Sequence, residues 1–384
     1  MKLCGVTPLI ILALAALASG PIDPPAGPVQ STMKTLDEVE ARIPVNAETC
    51  PPNGAAAIYV ISQPGSYYLT GDLLGVANQS GIKITTSNVT LDLNGYVVTG
   101  VPGSHHGIEG AQRTSVANGV VRAWGQKGIL LTEEATVTGV RATGNGETGV
   151  FVTNSSIVSD CVFSHNGTDG LSVQEGSVVR DCAAASNVRH GFAIGNACTL
   201  ENCNSRANTG DGFNIFSYGT ARGCEAYDNQ GHGFQSASYA KFKECVSNSN
   251  GLDGFHTVNF VDISGCAAAD NAGHGISTSF YSRIRGNVCN TNGNLGNGAG
   301  IHLTPGASST AVLDNACDGN DWGIQIAGAG NLVVGNTCSS NTTNYDIVAN
   351  NHVGVITSLP LSGAIGGDVG GNSAGAVPGC NYAF

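Results

Sequence analysis

Short stretches of alternating apolar and polar residues recur through the middle of the chain, each opened by a glycine and an apolar residue. The stretches return every 21 residues without interruption between Gly149 and Ile276. A period of this length indicates stacked supersecondary units, each of which buries its apolar face only against its neighbours. The glycines of this column are Gly149, Gly170, Gly191, Gly212, Gly233, Gly254 and Gly275.

Within one repeat the apolar positions predict three short β-strands separated by bends. One strand has the pattern of Gly191–Ile194 and another that of Leu200–Cys203, with Gly, Asn and Asp between strands. Such brief alternation, broken by turn residues, does not fit helices of about ten residues or more. Parallel pairing between successive coils would stack like residues on like. The sequence therefore predicts an all-β, single-stranded parallel solenoid of about 11 coils, capped at both ends.

Three further columns keep the same period and have structural explanations. Phe192, Phe213, Phe234 and Phe255 would form an aromatic stack in the interior, and an asparagine column an amide ladder at a bend. The cysteine column predicts buried thiols, but its spacing of about 4.8 Å also suits a disulfide, so pairing stays open. The asparagines are Asn166, Asn187, Asn208, Asn229, Asn250 and Asn271; the cysteines are Cys161, Cys182, Cys203, Cys224, Cys245 and Cys266, with Cys50, Cys198 and Cys380 off the column.

The chain divides into a leader, a linker and the solenoid with its caps. A short positive start, an apolar core and an Ala16–Ala18 cleavage site predict a signal peptide, so we expect a secreted protein that is extracellular, periplasmic or on the cell surface. The repeat slips after Ile276, and the insertions that cause this are expected to form loops. The predicted divisions are 1–18 signal peptide, 19–45 proline-rich linker and short helix, 46–80 N-terminal cap strands, 81–345 parallel β-helix and 346–384 C-terminal cap.

The repeat resembles the right-handed parallel β-helix superfamily that includes pectate lyases and polygalacturonases. Further segments make the chain similar to uncharacterised exported bacterial β-helix repeat proteins. The resemblance implies a right-handed parallel β-helix with a 21-residue repeat, and that group has no established catalytic residues to carry over. The segments that carry the closer likeness are Lys34–Arg42, Pro64–Gly71, Val89–Gly95 and Asn341–Ile347.

Charge and hydropathy narrow the choice of partners. A formal net charge of -12 at pH 7 argues against sequence-independent binding to nucleic acid, which needs clustered Lys and Arg. Beyond the N-terminal segment nothing approaches the roughly 20 uninterrupted apolar residues of a spanning helix, so no membrane insertion is expected. No cofactor is expected, and the oligomeric state stays open. The predicted partner is a polysaccharide.

Aspartate and histidine alternate in the column just before the repeat glycines. With coils about 4.8 Å apart, successive aspartates would lie about 9.6 Å apart, near the upper end of the carboxyl separation of about 6.5–9.5 Å in inverting glycosidases. The flanking carboxylates would favour protonated histidine. This set, called the Asp/His column below, consists of Asp169, His190, Asp211, His232, Asp253 and His274.

Three interpretations of the Asp/His column stay open: a purely structural ladder of alternating charges, a stripe that binds glycan, and a catalytic site. As a site, it has its catalytic candidates in Asp211, His232 and Asp253. Its other members, Asp169, His190 and His274, would contact the substrate.

Two further segments are similar to elements of polygalacturonases. Gly231–Gly233 is similar to their glycine–histidine–glycine element, and Arg283 and Arg285 to their basic substrate-binding element. The adjacent aspartate pair of that family is absent from the whole chain. An enzyme would be a polysaccharide hydrolase or lyase, but the absent pair favours binding over cleavage.

Other polar and aromatic residues add little to this prediction. His256 and His302 are expected to point outward, and no His or Cys spacing matches a closed zinc site, so no metal is expected. Outward aromatic residues would favour a glycan, since sugar rings stack on them. The predicted function is interaction with extracellular or cell-surface polysaccharide, and the alternative is a non-catalytic structural, adhesive or scaffold protein. The outward aromatic candidates are Phe151, Tyr218, Tyr227 and Tyr239, which do not share one column.

Overall fold

The computed structural model describes residues 42–383, except 53, 55, 294–295, 359–363 and 368–378. The predicted signal peptide, most of the linker and the short helix lie outside the described residues. Within the described part of the chain all regular structure is β-strand, and no helix long and apolar enough to cross a membrane occurs there.

The strands are short and follow one another in the order that the repeat predicts. In chain order they are β1 Ile43–Pro44, β2 Ala57–Ile61, β3 Gly65–Tyr68, β4 Leu73–Leu74, β5 Ser80–Ile84, β6 Val89–Asp92, β7 Val97–Thr99, β8 Ile108–Gly110, β9 Thr114–Arg122, β10 Ile129–Leu131, β11 Thr136–Thr143, β12 Val150–Val152, β13 Ile157–Ser159, β14 Val162–Ser164, β15 Leu171–Val173, β16 Val178–Arg180, β17 Ala183–Ala185, β18 Phe192–Ile194, β19 Thr199–Glu201, β20 Asn204–Arg206, β21 Phe213–Ile215 and β22 Thr220–Arg222. They continue as β23 Glu225–Tyr227, β24 Phe234–Ser236, β25 Lys241–Lys243, β26 Val246–Asn248, β27 Phe255–His256, β28 Asp262–Ser264, β29 Ala267–Ala269, β30 Ile276–Thr278, β31 Arg283–Arg285, β32 Val288–Asn290, β33 Ala299–Leu303, β34 Ala311–Leu313, β35 Ala316–Asp318, β36 Trp322–Ile326, β37 Leu332–Val334, β38 Thr337–Ser339, β39 Thr343–Ile347, β40 His352–Val353, β41 Ile356–Ser358, β42 Ala364–Gly367 and β43 Asn381–Ala383.

The strands form two parallel sheets that run along the stack of coils. Sheet I has 15 strands, one from each coil, in the order β2-β5-β8-β10-β12-β15-β18-β21-β24-β27-β30-β33-β36-β39-β42. Sheet II contains the other 28 strands, mostly two from each coil. Like residues pair in register, as in β18–β21 and β21–β24, where Phe192 lies beside Phe213 and Phe213 beside Phe234. The predicted parallel β-solenoid is confirmed.

The solenoid has about 15 coils, so the prediction of about 11 is too low. Three strands of sheet I lack the repeat glycine by which a coil is recognised in the sequence. In β2 the glycine position is occupied by Ile58 and in β39 by Asn344, each set by pairing with the adjacent strand. The third strand, β42, pairs with β39 within the stretch assigned to the C-terminal cap. Coils at the two ends thus lose the repeat pattern but keep the pairing.

The interior columns match their predictions. The rings of Phe192, Phe213, Phe234 and Phe255 are fully buried and lie flat on one another, with centroids 4.7 to 4.8 Å apart. The cysteines described, from Cys50 to Cys380, are buried free thiols. Cys289, Cys317 and Cys338 pair in register as a second thiol column, which continues the position of Ala268 and not that of Cys266.

The asparagine column forms a continuous ladder of amides. Each side chain donates through Nδ2 to Oδ1 of the asparagine in the next coil, and that Oδ1 also accepts the backbone N–H below. This ladder explains the repeat glycine. A Cβ on Gly212 would lie 2.7 Å from the carbonyl oxygen of Gly233 and 2.8 Å from Nδ2 of Asn229. Glycine is required there because backbone and amide approach too closely for any side chain.

Candidate functional site

The Asp/His column lies where each strand of sheet I begins, and its side chains bind the backbone of the next coil. Asp211 Oδ1 accepts the N–H of His232 at 2.9 Å, and His232 Nδ1 accepts the N–H of Asp253 at 3.1 Å. The same alternation links all six residues. The remaining bonds join Asp169 Oδ1 to His190 N at 3.1 Å, His190 Nδ1 to Asp211 N at 3.0 Å, Asp253 Oδ1 to His274 N at 2.8 Å and His274 Nδ1 to Ala299 N at 3.0 Å.

These bonds keep the three imidazoles neutral. An Nδ1 atom that accepts an N–H carries no proton, so the proton of the neutral ring is on Nε2. Burial lowers the pKa of His190, His232 and His274 from its ordinary value, and this outweighs the opposing effect of the aspartates. The flanking carboxylates do favour protonated histidine, as predicted, but the loss of hydration at this half-buried position outweighs them.

The column does not present a free carboxylic acid. Asp211 and Asp253 belong to different coils, with His232 between them. Asp211 Oδ2 accepts a bond from Asn214 Nδ2 at 3.1 Å, and Asp253 Oδ2 lies 2.8 Å from His256 Nδ1. Both oxygens of each carboxylate therefore have donors, which leaves neither placed to protonate a leaving group.

The predicted basic element lies elsewhere. Arg283 and Arg285 are exposed on β31 of sheet II, and Nε of Arg285 lies 3.5 Å from the carboxylate of Asp314. The Asp/His column borders sheet I instead. The structure thus brings the six residues of the column together and leaves the two arginines on the other sheet.

A second row of polar residues runs beside the Asp/His column on the outer face of sheet I. His256 stacks on His232, with ring centroids 4.4 Å apart, and His302 stacks on His274 at 4.2 Å. His302 Nδ1 is buried without a hydrogen-bond partner. This row, called the polar row, consists of Asn214, Gln235, His256, Ser277 and His302, one in each successive strand of sheet I.

At the other end of the same strands lies an exposed stack of aromatic rings. Tyr218, Tyr239, Phe260 and Tyr281 are 60, 42, 42 and 54% exposed, yet their rings lie flat on one another at 4.7 to 4.8 Å. The prediction that outward aromatics do not share a column is wrong for this set, called the aromatic ladder. Phe260 and Tyr281 were missed, although their spacing of 21 residues was visible in the sequence.

An apolar ledge separates the polar row from the aromatic ladder. Its members, Phe216 and Val258, are exposed and follow the ends of β21 and β27 of sheet I. A shallow recess of about 300 Å³ is lined by Asn214 and Gln235 of the polar row and by Phe216 and Val258 of the ledge. Three kinds of surface therefore meet on one face: hydrogen-bonding, apolar and aromatic.

Comparison with known proteins bears on the fold. The family described as right handed beta helix region matches residues 73–222 and 149–261. The chain is a right-handed parallel β-helix. This architecture fits the pectate-lyase-like superfamily that the repeat resembles. No curated protein matches this β-helix in sequence.

Several solved structures are similar to this chain at low sequence identity. The A-module of the mannuronan C-5 epimerase AlgE6 from Azotobacter vinelandii is 18% identical, with a TM-score of 0.47 over 85% of this chain and 93% of that one. The Dettilon tailspike protein is 15% identical, with a TM-score of 0.38 over 80% and 60%. The catalytic domain of a GH87 alpha-1,3-glucanase is 13% identical, with a TM-score of 0.43 over 76% and 61%. At such identities their activities do not transfer to this β-helix.

One cluster on the outer face of the β-helix offers ligand atoms for a metal ion. His232, Asp253 and His256 each contribute one such atom, and these atoms lie within 4.8 Å of one another. The spacing along the chain hides this cluster, because His232 and His256 are in different coils. Only their stacking across the coils brings them together.

Proposed function

We propose that the protein binds a polysaccharide along the outer face of sheet I and does not cleave it. The predicted signal peptide would place this binding in the periplasm, at the cell surface or outside the cell. Residues that carry it come from the polar row, the apolar ledge and the aromatic ladder. Residues of the polar row and of the apolar ledge also line the recess on this face.

The observation that carries the proposal is the alignment of three surface types within single coils. In one coil, Asn214, Phe216 and Tyr218 follow at alternate positions, and all three are at least partly exposed. In the coils above, the corresponding residues are Gln235, Ala237 and Tyr239, then His256, Val258 and Phe260. A sugar presents hydroxyl groups at its edge and C–H groups on its faces, so it needs hydrogen-bonding and apolar surface side by side.

The shape of the face favours a polymer over a small ligand. Four residues of extended chain span about 13 Å, and successive coils are about 4.8 Å apart, so four coils give a face of several sugar units. The recess on it is a shallow one of about 300 Å³ and does not enclose a ligand. Small molecules are usually held in clefts that bury most of their surface.

The aromatic ladder is not explained by the turn that carries it. Tyr218, Tyr239, Phe260 and Tyr281 have left-handed backbone, with φ between 55° and 63°. Other coils place Gly176 and Gly330 at the corresponding turn position, also with positive φ. A bulky residue in this conformation costs about 1–3 kcal/mol. Large rings at a position that suits glycine therefore point to a role at the surface.

The rings cover each other's faces, which limits how a sugar contacts them. Tyr239 and Phe260 have a ladder ring on both faces, whereas Tyr218 and Tyr281 at the ends have one on a single face. We infer that hydroxyl contacts dominate along the ladder and that C–H stacking occurs at its ends and on Phe216.

The Asp/His column supports binding without cleavage. The carboxylates of Asp211 and Asp253 and Nδ1 of His232 are occupied by backbone and side-chain bonds, and burial lowers the pKa of His232. A glycan array combined with a reducing-sugar assay tests the proposal. We expect binding without turnover. Turnover that is abolished by Asp211→Asn or His232→Ala would contradict it.

The second candidate is a structural, adhesive or scaffold protein of the cell surface. The exposed apolar edges of the aromatic ladder and ledge favour it, because such surface also suits a protein partner. No response to any glycan on the array would favour this candidate over polysaccharide binding.

A further inference from the structure

We propose that His232, Asp253 and His256 form a binding site for one divalent transition-metal ion of the zinc, nickel or copper type. Asp253 Oδ2 lies 2.8 Å from His256 Nδ1 and 3.8 Å from His232 Nδ1. Ligands of a tetrahedral ion bound at about 2.0–2.1 Å are about 3.3–3.4 Å apart. The two distances bracket this value, and closing the site requires the stacked rings of His232 and His256, with centroids 4.4 Å apart, to turn their nitrogens toward the ion.

The ligand set determines the class of ion. Two imidazoles and one carboxylate suit zinc, nickel or copper, whereas calcium and magnesium need sites built from oxygen. Three protein ligands leave at least one position open. The site is accessible, since the His256 side chain is 40% exposed, and those of His232 and Asp253 are 17% and 12% exposed.

Neighbouring bonds already hold the carboxylate in place. Asp253 Oδ1 accepts the backbone N–H of His274 at 2.8 Å, which fixes the carboxylate with Oδ2 toward the two rings. Such outer bonds orient ligands at metal sites. His232 Nδ1 accepts the N–H of Asp253 at 3.1 Å, so binding through that atom exchanges this hydrogen bond for a metal bond. The ion also replaces the proton between His256 and Asp253.

The repeat supplies two incomplete copies of the same arrangement. Two coils below, His190 and Asp211 have the same relation, and Asn214 occupies the position of His256. Two coils above, His274 stacks on His302, but Ala299 replaces the aspartate. Only the middle copy has all three ligands. The copies therefore provide controls within one chain.

Two substitutions interchange the copies. His256→Asn reproduces the lower arrangement at the middle position, and Asn214→His reproduces the middle arrangement at the lower one. Both residues are tolerated at this position of the coil, because the chain already contains each of them there. Circular dichroism establishes that each variant folds.

The test is calorimetric titration of the purified chain and both variants with zinc and nickel chloride. The wild type should bind one ion per chain, His256→Asn should bind at least about tenfold more weakly, and Asn214→His should bind two. The same affinity in wild type and His256→Asn overturns the proposal, as does a single ion on folded Asn214→His.

The proposals of metal binding and of polysaccharide binding are tested independently. Metal binding is measured without glycan, so a negative titration leaves polysaccharide binding untouched. A flat glycan array likewise leaves the metal titration unaffected.

Discussion

The ring of Tyr239 lies flat on the ring of Tyr218, with centroids 4.7 Å apart and planes 4° from parallel. Both rings are on the surface, whereas the parallel stack of Phe213 on Phe234, at the same 4.7 Å, is fully buried. The coil spacing thus stacks aromatic rings inside and outside the solenoid alike. Only the inner stack is needed to fill the core, so core packing explains the Phe213 column and does not explain the Tyr218 column.

The first prediction compares two phenylalanines in the same coil. Phe213→Ala should destabilise the protein by about 3–5 kcal/mol, because it opens a cavity within a stack of buried rings. Phe216→Ala should change stability by less than about 1 kcal/mol, since that side chain is 56% exposed. Urea unfolding monitored by circular dichroism measures both. Similar losses in the two variants would contradict the assignment of inner and outer faces.

The second prediction concerns the amide ladder. Asn208 Oδ1 accepts both the backbone N–H and the side-chain amide of Asn187, at 3.0 and 2.9 Å. Asn208→Ala leaves these buried donors without an acceptor, so we expect a loss of about 2–4 kcal/mol in the free energy of unfolding.

The control for the ladder is Asn204→Ala, an exposed asparagine on β20 whose amide donates to Glu225. Its loss should cost less than about 0.5 kcal/mol. If Asn208→Ala unfolds at the same urea concentration as this control, the ladder does not stabilise the fold.

The third prediction is a dependence of stability on pH. Burial lowers the pKa of His302 to about 4, and neighbouring His274 contributes to the shift. The unfolded chain takes up this proton near pH 6.5, so stability falls as the pH drops from about 6.5 toward about 4. One proton accounts for at most about 1.4 kcal/mol per pH unit, and for less where water reaches the ring.

His302→Gln should remove this contribution because glutamine does not titrate. Glutamine fits this position, since Gln325 occupies the matching position in the next strand. We expect a shallower loss of the free energy of unfolding below pH 6.5 in the variant than in the wild type. Urea titrations at several pH values measure it. Parallel curves for the two proteins would show that His302 titrates normally in the folded chain.

The sequence predicted the columns in which the residue type is constant or strictly alternates. The Phe192 and Asn208 columns were recognised because packing and turn bonding require the same side chain in every coil. The aromatic ladder was missed because it mixes tyrosine with Phe260, and because Phe151 and Tyr227 from other columns obscured the pattern. A search by position, without regard to residue type, would have found it.

Side-chain contacts between residues of adjacent coils could not be predicted from the sequence. The bond between Asp253 and His256 lies within one coil, but the stacking of His256 on His232 depends on how adjacent coils align. The neutral state of His232 depends in turn on burial and on which atom accepts the N–H of Asp253. Spacing along the chain determines none of these.

The most direct test of polysaccharide binding uses a matched pair of tyrosines. Tyr239 of the aromatic ladder is 42% exposed, and Tyr227 on sheet II is 45% exposed. The glycan that gives the strongest array signal is titrated calorimetrically against the wild type, Tyr239→Ala and Tyr227→Ala. We predict that Tyr239→Ala weakens binding at least about tenfold, which is about 1.4 kcal/mol, and that Tyr227→Ala binds as the wild type does. Equal affinities for the two variants would contradict binding on the outer face of sheet I.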